Sequence, residues 1–139
     1  MSILSKIVIA SSILLSTVAL AEQQTIDACT GISPEHSRPC LQSMVNQSED
    51  ALVRSEYNAL EALVRWDEIG SISAEAQSRL RATAKTFRNY RGAECGLVRN
   101  LGRMSQDVVL ENNQLACIYK LNAERIAHLS QITADLPKR

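Results

Sequence analysis

Aromatic residues are scarce in this 139-residue chain: one tryptophan, three tyrosines and one phenylalanine. Glycine and proline are also few, at five and three. With so few breakers and a background of alanine, leucine, glutamate, glutamine and arginine, the composition favours helix. No glycine-rich phosphate loop and no H-E-x-x-H run is present, and no serine or cysteine has an assignable base and orienter. Adjacent carboxylates such as Glu49-Asp50 and Asp67-Glu68 point apart on a helix and read as solvated charges. These gaps argue against an enzyme. The cysteines show no C-x-x-C spacing and lack a nearby histidine pair, so no metal site and no cofactor is expected. Lysine plus arginine equals aspartate plus glutamate, fifteen each. A nucleic-acid partner needs clustered excess positive charge, so none is expected. The sequence also lacks internal repeats and low-complexity segments.

What is present begins with a leader. Lys6 is the only charge in residues 1–21, an apolar run spans Ile7 to Leu20, and Ala19-Leu20-Ala21 forms an A-x-A cleavage signal. The run is short for a membrane span, which needs about 20 apolar residues. A signal peptide over residues 1–21 is therefore expected, cleaved after Ala21, with no stable membrane insertion afterwards. No cysteine follows the cut, so no lipid attachment site is read. Residues 22–139 remain as one domain, exported and periplasmic. Loss of Lys6 takes its formal charge from zero to minus one.

Cys29, Cys40, Cys95 and Cys117 all lie in that domain. An even count in a small exported protein reads as two disulfides, with three pairings open. Helical register chooses among them. Cys95 and Cys117 are nearly equidistant from a turn near residues 102–106, a mismatch of about 2–3 Å along antiparallel helices. Cys29–Cys40 follows by elimination.

Periodicity predicts three long helices. The first runs over about residues 41–67, with Leu41, Val45, Leu52, Ala59, Leu63 and Trp66 on one face. Before it, Ser33 and Pro34 open a single turn as N-cap and N1, which Pro39 breaks. Gly70-Ser71 separates the first two helices, and Ser73 caps the second. That helix covers about residues 74–101 and buries Leu80, Ala84, Phe87, Tyr90, Leu97 and Leu101. Gly92 and Gly96 mark close helix approach or a kink within it, and Gly102 is a C′ residue. The third helix runs over about residues 107–134, facing the core with Val108, Leu115, Tyr119, Ile126 and Leu129. Connections this short imply antiparallel neighbours. The fold expected is all-α, an antiparallel three-helix bundle stapled by two disulfides. The same register sets Asp50 level with Arg91, and Arg125 roughly 6 Å away along the axis. Asp50, Arg91 and Arg125 are expected to form a structural polar tie between helices.

Phe87, Tyr90, Arg91, Gly92, Ala93, Glu94 and Cys95 form one block. Cys117, Leu121, Asn122, Arg125 and Leu129 form a second, and Asp50, Val53, Arg54 and Tyr57 a looser third. Together they resemble the lysozyme inhibitor LprI-like N-terminal domain family, small exported bacterial domains, over about residues 29–130. The family usually has tryptophan at the position of Phe87, aspartate at Gly92, asparagine at Arg54 and threonine at Asn122. The resemblance implies a periplasmic protein that blocks a lysozyme-type hydrolase, or a structural or adaptor module of the cell envelope; the partner is then a lysozyme or another envelope protein. Such hydrolases work through two carboxylates in a cleft. The turn from Arg99 to Gln106, with Arg99, Arg103 and Ser105 as donors, is the candidate contact with the target.

Overall fold

The computed structural model describes residues 25–31, 33–66, 70–102 and 105–137. The expected leader and Arg103 lie outside the described residues. A short helix over residues 25–30 (α1) precedes three long ones, α2 (Pro34–Arg65), α3 (Gly70–Leu101) and α4 (Asp107–Ala134). The described residues are all-α, and both expected disulfides are present, Cys29–Cys40 and Cys95–Cys117, each with Cα atoms 5.6 Å apart.

The two turns make α3 antiparallel to its neighbours and leave α2 and α4 parallel. Asn112 Nδ2 donates to the Pro34 carbonyl at 2.8 Å and Asn122 Nδ2 to Ser48 Oγ at 2.9 Å, while Leu129 packs with Leu52 and Ala59. Residue numbers on both helices thus rise together. α2 packs most extensively on α4 and least on α3.

The core has two apolar clusters. The upper one joins Ile26 and Cys29 of α1 to Leu41, with Met44, Leu115, Ala116 and Tyr119 around them. The lower one joins Leu52, Ala59 and Leu129, with Leu80, Phe87 and Ile126 around them. Leu41, Leu52 and Leu129 are essentially inaccessible; each such side chain contributes about 1.5–3 kcal/mol on leaving water.

Four expectations change. Pro39 does not break the first helix, which runs without interruption from Pro34. Proline in a helix interior costs about 3 kcal/mol, so this turn needs outside support. The Ser33 carbonyl accepts from the amides of His36 and Ser37 and from Ser37 Oγ. The Cys29–Cys40 bridge and buried Leu41 then hold the chain on either side.

Gly70-Ser71 does not separate helices, because α3 already starts at Gly70. Ser73 is consequently no cap. Its buried hydroxyl donates to the Leu63 carbonyl at 2.7 Å, satisfying one of the carbonyls that the end of α2 leaves without an intrahelical partner.

The glycines differ from expectation too. No described residue has positive φ, so Gly102 is not a left-handed cap. A Cβ there would lie 2.5 Å from Leu110 Cδ2, so a larger residue would have to displace the end of that leucine side chain. At Gly92 and Gly96 a Cβ would meet nothing within 4 Å, and α3 continues through both, so they serve no close approach.

Finally, the α3 stripe is only half right. Leu80, Ala84 and Phe87 are half-buried, but Tyr90, Leu97 and Leu101 are exposed, Leu101 at 77%. Their spacing of seven and four residues makes a helical row of its own. The inward row at this level carries Arg91 and Cys95 instead.

Candidate functional site

Between the two apolar clusters lies a polar layer. Asn122 is fully buried on α4, at the level where Ser48 of α2 is buried too. Ser48 Oγ donates to the Val45 carbonyl at 2.8 Å and accepts from Asn122 Nδ2. Asn122 Oδ1 in turn accepts from Arg91 Nη1 of α3, and the same guanidinium nitrogen is 2.7 Å from Glu49 Oε1. One contact from each long helix therefore meets at this level, and the Arg91 side chain is only 14% exposed. A buried amide whose donor and acceptor are both used fixes register more than it adds stability.

The expected Asp50–Arg91–Arg125 tie is corrected on two points. The carboxylate that reaches Arg91 is Glu49, and Asp50 is exposed. Adjacent helical residues point about 100° apart, so an axial register argument cannot choose between them. Arg125 does not share the ion pair: its Nη2 donates to Thr83 Oγ1 at 2.9 Å, and its buried Nε has no hydrogen-bond partner. Arg91 and Arg125 both lie over the Phe87 ring, 5.8 Å from its centroid, a cation–π distance. Ser48 was not singled out from the sequence, Asn122 entered only through the family block, and Glu49, expected to be a solvated charge, is instead half-buried against Arg91. Asn122 carried a signal, standing seven residues from both Leu115 and Leu129, a polar residue on a core row.

The α3–α4 turn is the second region. Arg99 is half-exposed and leans on α4, with Nη1 3.5 Å from Gln114 Oε1 and Nη2 4.0 Å from Glu111 Oε1. Glu111 also pairs with Arg38 of α2 at 3.1 Å. Ser105 is exposed, and its amide donates to the Gly102 carbonyl at 2.7 Å. Cys95–Cys117 closes the hairpin just below. Arg99 and Ser105 thus belong to one braced turn, separate from the Arg91 layer.

Two shallow cavities, of about 460 and 410 Å³, open along the α2/α4 seam and share Ala51, Arg54 and Ile126. Thr25 and Tyr119 close the upper one, Ser130 and Thr133 the lower one. Neither contains a histidine or a cysteine. The one serine–histidine contact among the described residues, Ser33 Oγ to His36 Nδ1 at 2.6 Å, is exposed at the start of α2 and outside both cavities. Among the described residues no group of three histidine, cysteine, aspartate or glutamate side chains could hold a metal ion. No described helix is long and apolar enough to cross a membrane.

A family model described as Lysozyme inhibitor LprI matches residues 22–129, a span holding both disulfides, the polar layer and the braced turn. Comparison with curated proteins and with solved structures gives no significant match.

Proposed function

This chain belongs to the Lysozyme inhibitor LprI family, and from that premise we propose that it is exported to the periplasm and blocks a lysozyme-type glycan hydrolase there. The family match carries the reading, because it covers α1 to α3 and most of α4. The contact we assign is the α3–α4 turn. A glycan cleft presents two carboxylates flanking the scissile bond, and Arg99, Arg103 and Ser105 supply donors suited to them, arginine with a bidentate fork. Bracing favours this use: a turn already held by Cys95–Cys117 and the Arg99–Gln114 contact loses little freedom on binding. Arg91, mostly buried and doubly engaged, is assigned to holding the bundle.

The test is inhibition of a panel of lysozymes by purified residues 22–139. At least one class should be inhibited, and the triple variant Arg99→Ala, Arg103→Ala, Ser105→Ala should lose that inhibition while keeping the parent's helical signal. Failure to inhibit any lysozyme would leave the domain as a structural or adaptor module of the envelope.

A further inference from the structure

The exposed large apolar residues of α2 are Val53, Tyr57 and Val64, at 57%, 62% and 58%. With half-buried Leu60 they fall at i, i+4, i+7 and i+11, a single row along the helix. Val53 and Leu60 each follow by four residues a carboxylate that reaches α3, Glu49 and Glu56. The row therefore runs along the α3 side of α2. On α3, Arg81, Lys85 and Arg88 repeat the spacing i, i+4, i+7. Arg88 is the one that crosses to Glu56, at 2.5 Å. Lys85 and Arg81, about one and two turns away on the same face, are exposed and have no ion-pair or hydrogen-bond partner among the described residues.

The outer side of the α2/α3 seam thus presents an apolar row beside a cationic row. The carboxylates toward α3, Glu49 and Glu56, are taken by Arg91 and Arg88, and Glu61 on the far flank of the row pairs with Arg65. Asp50 is the one carboxylate beside the row without a partner among the described residues, against the two cations Arg81 and Lys85, so the face keeps a small net positive charge. The two cavities described above open on the α2/α4 side, away from it. A two-helix face with a tyrosine and valines next to unpaired cations matches an interface of anionic headgroups over acyl chains. Tyrosine lies at headgroup depth, and arginine and lysine reach lipid phosphates on flexible apolar stems.

We propose that this face docks the folded domain reversibly on an anionic phospholipid surface. Such a surface is flat, which suits paired rows better than an acidic peptide, whose side chains need pockets. This inference does not depend on the target of the α3–α4 turn.

The experiment is cosedimentation of residues 22–139, which contain all the described helices and lack the apolar leader. The vesicles are phosphatidylglycerol mixed with phosphatidylcholine, or phosphatidylcholine alone, at low and high salt. Binding should require phosphatidylglycerol and fall as salt rises. Arg81→Gln with Lys85→Gln should weaken it roughly thirtyfold, at about fivefold per cation. Tyr57→Ala should weaken it with both cations intact. Because these side chains are exposed and unpartnered, thermal melts of the variants should match the parent. Absence of binding to phosphatidylglycerol vesicles at low salt overturns the proposal. So does binding unchanged in the Arg81/Lys85 variant, or equal binding to phosphatidylcholine alone. Binding to soluble polyglutamate with none to vesicles also overturns it and gives the face to an acidic protein.

Discussion

The two seams of α2 are built on different physics. Against α4 it buries Leu41, Leu52 and Ala59, and the buried polar ties on that side are neutral amide and hydroxyl contacts, with one more exposed ion pair, Arg38–Glu111, near the top. Against α3 it has half-buried Leu80 and Phe87 at the edge of the lower cluster, two arginine–glutamate pairs and the Ser73 hydroxyl. The first seam is the more extensive and holds the fully buried leucines, although two shallow cavities open along its outer edge; the second packs less extensively and its cross-helix side-chain ties are largely charged. α3 is therefore fixed less by burial than by discrete ties, and one of those, Cys95–Cys117, is covalent and runs to α4. The difference teaches that a three-helix bundle need not have three equal interfaces. Here a tight parallel pair, α2 and α4, carries a third helix clamped to it at a few points.

Substitutions can break that comparison, starting in the α2/α4 seam. Leu52→Ala should have the largest effect, a loss of about 2–5 kcal/mol in chemical denaturation, because it removes a fully buried side chain and leaves a cavity. Loss of Cys95–Cys117, made with serine at both positions, should cost about 3 kcal/mol for a closed loop of this length. Its more telling signature is hydrogen exchange, with protection lost along the upper half of α3 before α2 or α4. Uniform loss across all three helices would contradict the clamp description.

Arg91→Ala should cost about 1–3 kcal/mol, since it leaves buried Asn122 Oδ1 and half-buried Glu49 without their partner. Arg88→Ala removes a pair whose arginine is 41% exposed and should cost less than about 1 kcal/mol. If the two arginine variants melt together, the polar layer is not the structural tie described. The smallest effect has the opposite sign. Gly92→Ala and Gly96→Ala face open space within a continuous helix and should each raise stability by up to about 1 kcal/mol.

Legibility in the sequence follows the same division. The disulfides, α4 and the core row of α2 were readable because each rests on spacing, and spacing survives as a one-dimensional signal. The start of α2 was not readable, because Pro39 is a strong local breaker and its toleration depends on a bridge and a buried leucine next to it. Ser73 looked like a cap because serine before a helical run usually is one; only the position of Leu63 gave its hydroxyl another acceptor. On α3 two rows competed, and the more apolar one, Tyr90, Leu97 and Leu101, faces solvent. Asp50 for Glu49 is an azimuthal error, since counting along an axis says nothing about direction around it. The turn donors Arg99 and Ser105 were chosen for the chemistry that a two-carboxylate cleft would accept, since the family resemblance names no contact residues.

The parallel arrangement of α2 and α4 also governs how the chain reaches this fold. The most extensive seam joins residues about 74–78 positions apart, such as Ser48 with Asn122 and Pro34 with Asn112. The sequence-local hairpin between α2 and α3 buries least. Local contacts therefore guide the search weakly, and most of the loop-closure entropy is spent before the α2/α4 seam forms. Once oxidised, Cys95–Cys117 shortens that search by delivering α4 on a hairpin already closed. A chain of this design should fold in step with its oxidation, and refolding of the intact disulfide form should be faster than that of the Cys95→Ser/Cys117→Ser form in stopped-flow experiments.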